Sequence, residues 1–396
     1  MKANLKEKTL FKQKSFPCSQ CGANLTFCAD LDALKCSYCG AINQIKPPPI
    51  PIRELDLNSA LKNLDVYDYK KEKQFREFKC PSCAATFEVD WHIRSTRCPY
   101  CKTPIVTNAD IFMPLAPKSI LPFKLNQKDA KEIFKKWVGS LWFAPSSLKN
   151  IYDSPSSLRG IYLPYWTYDS NTHTNYQGRR GVVYHDRVER VVYVNGREEV
   201  VEDIVERIEW YPVSGEVYDS FDDVLIGATK TLPRKLSDAL EPWDLENLES
   251  FDERYLSGFD SEIYSIALDE GFEYAKEFMR YKITEHVRYD IGGDRQEITN
   301  MQVYHSNSTF KYILLPIYTA HFEHNSKKYR FAINARSGKI VGERPYSKTK
   351  IFFAILIILL ILGAIFYLGD FDQDFSQSNA PYINISPHGA SFEIRF

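Results

Sequence analysis

Three observations set the fold class: nine cysteines confined to the N-terminal quarter on one repeated ruler, an uncharged apolar run near the other end, and strand-like alternation between them. Together they predict an α+β protein with two N-terminal four-cysteine zinc ribbons, a cytosolic domain of mixed antiparallel sheet and helix, and one C-terminal transmembrane helix. The 396 residues, 44% hydrophobic and 14% aromatic, supply core enough for two or three domains. Lysine plus arginine (50) nearly cancels aspartate plus glutamate (51), so any nucleic-acid role has to rest on a local patch.

The first ribbon, residues 15–45, is carried by "CSQCGANLTFCADLDALKCSYC", in which Cys18 and Cys21 face Cys36 and Cys39 across 14 residues. The second, residues 76–108, repeats that spacing in "CPSCAATFEVDWHIRSTRCPYC" with Cys80, Cys83, Cys98 and Cys101. In a zinc ribbon each C-x-x-C pair occupies a tight knuckle, and four thiolates close a tetrahedron around one ion. Two structural Zn2+ ions are therefore expected. Disulfide exchange also uses C-x-x-C, but a hairpin bracket lacks the strand-to-helix setting of a redox motif. The segment "TFEVDWHI" alternates Phe87, Val89, Trp91 and Ile93 with polar residues and reads as one strand. Cys28 is left over as a buried apolar thiol, and His92 falls on the polar side.

Between the ribbons, residues 46–75 hold the stiff "KPPPIP" and then a helical stretch beginning "LNSALKNL". After them, Asn126 caps a helix with the stripe Ala130, Ile133, Phe134, Trp137 and Val138. Separate strands are read at "GIYLPYWTYD", "TNYQGRRGVVYHD", "RVVYVNGREEVVED", with Asn195-Gly196 as a hairpin turn, and "RIEWYPVSGEVY". A second helix starts near Asp269 with Phe272, Ala275, Met279 and Ile283 on one face, and "DIGGD" ends it in a glycine turn. Leu163-Pro164 and Leu315-Pro316 each open a strand run after a helix, which suggests two related α+β halves, 115–235 and 236–346. Residues 237–262 hold nine acids against Arg254 alone and read as a solvated face.

The run "IFFAILIILLILGAIFYL", from Ile351 to Leu368, carries no charge, and a transmembrane helix is expected over 351–369. Lys339, Arg344, Lys348 and Lys350 precede it and Asp370, Asp372 and Asp374 follow. The positive-inside rule then keeps the N-terminus cytoplasmic and leaves 370–396 as an extracytoplasmic tail of a single-pass inner-membrane protein. The polar, lysine-rich opening stretch gives no reason to expect a secretory signal peptide.

No phosphate cradle of the G-x-x-x-x-G-K-[ST] type, no H-E-x-x-H and no G-x-S-x-G occurs, so no enzyme and no helicase is expected.

Both ribbons, "LPFKLNQKDAKEIFKKWV", "LWFAPSSLK", "GIYLPYWTYD", "DIGGDRQ" and "NARSGKIVGERPYS" before the apolar run resemble a bacterial family of membrane-anchored proteins with TFIIB-type zinc ribbons. The resemblance covers almost all of residues 15–369. Members often carry a primosomal, replication-restart helicase label, to which only the ribbons here correspond. The resemblance implies a role in membrane stress, with phage-shock-type, flotillin-like (SPFH) or virion-core-like proteins as partners brought to the bilayer. It implies the eight cysteines as metal ligands and no active-site residues. The function expected is thus a non-catalytic, membrane-anchored adaptor recruiting a cytosolic protein. The alternative is a tethered nucleic-acid-binding ribbon protein, favoured by five lysines in the first 17 residues.

Overall fold

The computed structural model describes residues 13–14, 16–46, 51–64, 76–80, 82–83, 85–90, 92–107, 115–145, 158–194, 197–324 and 327–377. The Asn195-Gly196 turn, Trp91, residues 65–75 of the linker and residues 378–396 of the tail lie outside them. The chain divides into two compact units, one of residues 1–137 and 152–343, the other of residues 138–151 and 344–396.

The first unit begins with β1 (Leu25–Cys28), β2 (Ala33–Cys36) and β3 (Ile42–Gln44), an antiparallel three-stranded sheet. Helix α1 (Leu57–Leu64) follows. Next come β4 (Arg76–Lys79), β5 (Thr86–Val89), β6 (Ile93–Arg97) and β7 (Pro104–Thr107). Strand β4 pairs with β5, and β6 with β7. The expected single strand through "TFEVDWHI" is instead broken, because Ile93 N–H bonds back to Asp90 O (3.1 Å) and turns the chain between β5 and β6.

Helix α2 (Gln127–Ser140) starts where expected: Asn126 Oδ1 accepts from Lys128 N (2.8 Å) and Asp129 N (2.9 Å). Its Phe134 ring stacks on Phe331 at 4.1 Å.

The four strands read separately between 160 and 218 are fused into two, β8 (Arg159–Val194) and β9 (Arg197–Gly227), paired antiparallel along their length. Gly178, inside one of those strands, serves close approach, since a Cβ there would run into the Glu297 carbonyl oxygen. Strand β10 (Asp260–Glu262), helix α3 (Leu268–Ile291), β11 (Arg295–His324), β12 (Lys327–Asn334) and β13 (Ile340–Gly342) complete this unit.

Among the described residues these strands build one mixed 12-stranded sheet that also takes in β6, β7 and four two-residue strands. Strand β8 lies between β9 and β11 over residues 165–181, and near its start runs parallel to β10. The two Leu-Pro phrases meet, with Leu163 directly opposite Leu315 in the β8–β11 register. Strands from 115–235 and from 236–346 therefore share one sheet.

Near its start β8 is buried on both faces, which is why Ile161, Tyr162, Leu163, Tyr165, Trp166 and Tyr168 do not alternate with polar residues. Leu121, Ile313, Leu315 and Ile317 pack against one face of this core. Helix α3 covers the other, and its buried Leu268, Phe272, Ala275, Met279, Ile283, Val287 and Ile291 keep the spacing of one helical stripe. Tyr168 Oη donates to Leu268 O (2.7 Å) and Trp166 Nε1 to Ile266 O (3.0 Å), so the aromatic core also fixes the entry of α3. Gly292 (φ 68°) and Gly293 (φ 74°) stop it, as the glycine turn predicts.

The second unit holds α4 (Lys348–Gln377) and the 141–145 loop. Ser347 N donates to Phe143 O and Lys350 Nζ to Ala144 O, both at 2.7 Å, which fastens the loop to the first turn of α4 and leaves Trp142 83% exposed. Among the described residues α4 is the one helix long and apolar enough to cross a membrane, with a window over Lys348–Ile365 of mean hydropathy 2.4 and none of it buried. Ile351 and Leu368 both lie on it.

Candidate metal centres

Each ribbon is assembled from two knuckles whose backbone geometry is dictated locally. Gly22 N–H bonds to Cys18 O (2.9 Å) and Gly40 N–H to Cys36 O (3.0 Å), so the chain reverses immediately after each cysteine pair. That reversal needs positive φ, supplied by Gly22 (75°), Gly40 (77°) and, in the second ribbon, Lys102 (63°). Matching bonds close the knuckles from outside: Cys18 N to Ala23 O, Cys36 N to Ala41 O, Cys80 N to Ala85 O and Cys98 N to Thr103 O, at 2.7–2.9 Å. The knuckles at Cys36, Cys80 and Cys98 sit in the tight turns of hairpins β2–β3, β4–β5 and β6–β7.

The eight cysteines predicted from spacing gather as two groups of four, Cys18, Cys21, Cys36 and Cys39, then Cys80, Cys83, Cys98 and Cys101, with the sulfurs of each group within 4.8 Å of one another. Cys18 and Cys39 stand 3.6 Å apart, Cys21 and Cys36 3.6 Å, Cys80 and Cys101 3.5 Å, and Cys83 and Cys98 3.8 Å. A tetrahedron with Zn–S bonds of about 2.3 Å has edges of about 3.8 Å, whereas a disulfide would bring two sulfurs to about 2.0 Å. The spacing fits a metal, and none of these thiols is cross-linked. In each group the first cysteine of a pair is buried and the second exposed.

Left to themselves the sulfurs share their protons unequally. The Cys39 N–H draws Cys36 down to about 6, and Thr103, through its hydroxyl and N–H, draws Cys101 to about 6. Cys21 rises to about 12: its Ala23 N–H pulls downward, but burial and the neighbouring sulfurs outweigh it. Cys83 rises likewise, against the pull of Ala85 N–H. A cation of charge two removes this competition by taking the place of the protons. Four inward-facing sulfurs use every tetrahedral position, so either site can hold a fold together and offers no open place for substrate.

Cys28 stands apart from both groups and is half-buried. His92 is half-buried too, with Nδ1 2.8 Å from Asp90, and is no part of either group.

The residues that seat the ribbons come from the acidic 237–262 segment, which is not the solvated face its charge suggested: Tyr255, Leu256, Ser257 and Glu262 are buried. On one side Phe27 N donates to Ser257 O (2.8 Å), Ser257 Oγ donates to Leu25 O (2.7 Å), and the Phe27 and Tyr255 rings meet edge to face at 5.2 Å. On the other, Ser95 Oγ donates to Phe259 O (2.9 Å) and Arg97 to Gly258 O, while β10 pairs with β6. One short strap thus holds both ribbons. No side-chain motif announces it, because the contacts run mostly through its main chain.

No protein family's sequence model matches this chain, and no solved structure matches it significantly. It is similar to the uncharacterized protein YdjG of Bacillus subtilis (strain 168), 24% identical over 361 residues that span 88% of this chain and 98% of that protein.

The second knuckle of each ribbon carries an exposed tyrosine between its cysteines, Tyr38 (84% exposed) and Tyr100 (68%). Two open depressions of about 390 and 440 Å³ lie elsewhere, the first between Tyr176, Glu216 and Asn300, the second between Arg280, Thr284 and Met301.

Proposed function

We propose that this chain is a non-catalytic adaptor, anchored in the inner membrane by α4 with its N-terminus in the cytoplasm, whose two structural zinc ribbons recruit a cytosolic protein. The observation that carries the reading is the pair of closed four-sulfur groups, built to present a rigid surface, in a chain that also bears an exposed apolar helix of membrane-spanning length. Tyr38 and Tyr100 give each ribbon an aromatic anchor of the kind that dominates protein interfaces. The partner classes implied by the family resemblance are phage-shock-type, flotillin-like (SPFH) and virion-core-like proteins, which places the adaptor in membrane stress.

The test is cross-linking and co-purification from intact membranes, comparing wild type with Cys80→Ser/Cys83→Ser. Loss of a partner from the variant supports recruitment through the second ribbon. An unchanged set of partners refutes it, and extraction of the chain by alkaline carbonate refutes the anchor. The same tyrosines favour a second reading, in which they stack on nucleic-acid bases beside cations such as Lys102. Salt-dependent DNA binding that Tyr38→Ala/Tyr100→Ala abolishes would select it.

A further inference from the structure

Strand β11 stops pairing with β8 at Arg295, which stands opposite Gly181. Beyond that point residues 182–194 of β8 and 197–209 of β9 pair only with each other among the described residues, as a two-stranded arm about 40 Å long. Such a ribbon is marginally stable in water and presents two free edges. It also exposes Tyr184, Val191, Tyr193, Val200 and Ile204.

The two edges differ in charge. On β9, Glu198, Glu199, Glu202, Asp203, Glu206 and Glu209 outweigh Arg197 and Arg207, so two copies of that edge repel. The β8 edge reads "VVYHDRVERVVYV" from 182 to 194, which is self-complementary about Val188 when paired with its own reverse. Antiparallel pairing about that residue sets Arg187 opposite Glu189 of a second copy and Asp186 opposite its Arg190. It also sets Tyr184 opposite Val192, His185 opposite Val191, and Val183 opposite Tyr193. Every charge meets its opposite and every apolar residue avoids a charge.

The backbone allows this register. Gly181 O accepts from Asp294 N (2.9 Å) and Val183 N donates to Asp294 Oδ2 (2.8 Å), so odd-numbered residues turn their polar main-chain groups to this edge. By alternation His185, Arg187, Glu189 and Val191 follow, and they pair with one another in the register above. Within one chain Glu189 lies directly opposite Glu202, a like-charge pair that costs stability. Arg187 of a second copy would offset it. The partners these side chains already hold are solvent-exposed ion pairs, Arg207 with Asp186 (3.0 Å), Arg190 with Asp203 (3.8 Å) and Arg187 with Glu202 (4.0 Å), and they leave room for a further charge.

We propose that the β8 edge of this arm is a self-association surface, on which a second copy of the chain adds antiparallel about a two-fold axis at Val188 to form a four-stranded β9–β8–β8–β9 ribbon.

The test uses the full-length protein in detergent or nanodiscs. Val188 faces its own copy in a pair whose Cα atoms lie about 4.5 Å apart, within disulfide reach. Val188→Cys should therefore give a covalent dimer on mild oxidation, while Ile204→Cys on β9, exposed in the same arm, should give none. In sedimentation velocity Arg187→Glu should weaken the dimer roughly tenfold or more, since two symmetry-related pairs turn from attraction to repulsion, and Arg187→Glu/Glu189→Arg should restore it. A wild-type protein that stays monomeric at tens of micromolar overturns the proposal. So does a dimer that Arg187→Glu leaves intact, because the copies would then meet elsewhere.

Discussion

Replacing Cys98 by serine tests the metal reading most directly. Cys98 is fully buried, packs with Cys80 and Ile105, and stands 3.8 Å from Cys83. Structural zinc bound by peptides of this size contributes about 10–16 kcal/mol, so each of four ligands accounts for roughly 2.5–4 kcal/mol. A serine hydroxyl replaces almost none of that. The affinity of the second site should fall about a hundred- to a thousand-fold, at about 1.4 kcal/mol per factor of ten. The first site, on its own sheet, should keep its affinity. Competition against a chromophoric zinc chelator reads both sites in one titration, with wild type releasing two equivalents of zinc and Cys98→Ser holding only one tightly. Hydrogen exchange adds the structural consequence: because β6 is bonded to β10 and its Ser95 and Arg97 to the 258–259 carbonyls, amides of β6, β7 and β10 should lose protection together while α3 and β12 keep theirs. Two zinc ions held with wild-type affinity by Cys98→Ser would refute the four-sulfur site.

Four further outcomes follow from the geometry. Ser257→Ala removes the only donor shown to reach Leu25 O from the strap, and should cost about 1–3 kcal/mol, seen as a lower melting temperature with zinc content unchanged. Gly178→Ala should cost about 1–3 kcal/mol by forcing β8 from β11 at the Glu297 carbonyl, measured by denaturant unfolding. Burial raises the Glu262 carboxyl above its ordinary value, so the fold binds that proton more tightly than the unfolded chain does. Its contribution is full at acid pH and fades as pH rises through the folded-state value, and Glu262→Gln should be the more stable protein at neutral pH and equal to wild type in acid. Trp142, exposed beside the first turn of α4, should be quenched by brominated lipids in proteoliposomes, and Trp142→Ala should abolish that quenched fraction.

The sequence made the metal groups legible because ligand chemistry fixes both residue type and spacing, and Cys18 through Cys101 fall where that chemistry puts them. Helix α3 was legible for a similar reason, since Phe272, Ala275, Met279 and Ile283 repeat at the helical period. The full length of the two fused strands was not: the Asn195-Gly196 hairpin was read and its flanking residues pair, but Gly178, Gly181 and Gly215, read inside separate short strands, are small because another strand or side chain passes close by, a constraint set by the rest of the fold. Residues 237–262 misled for the opposite reason: Asp238, Glu241 and Glu246 are exposed as charge suggests, but Glu262 is buried, and Tyr255, Leu256 and the carbonyls of 257–259 do the seating, through main-chain acceptors that leave no trace in composition.

The way β6 and β7 continue the large sheet has a practical result for anyone dissecting this protein. A truncated N-terminal piece of about 110 residues would carry all eight ligands, yet it would lack β10 and the 257–259 backbone, and so would expose a raw strand edge where a neighbour belongs. Such a piece should be sticky and poorly soluble, and cutting the ribbons away would leave the same scar on the other side. Swapping ribbons between relatives should succeed only when residues 252–263 travel with them.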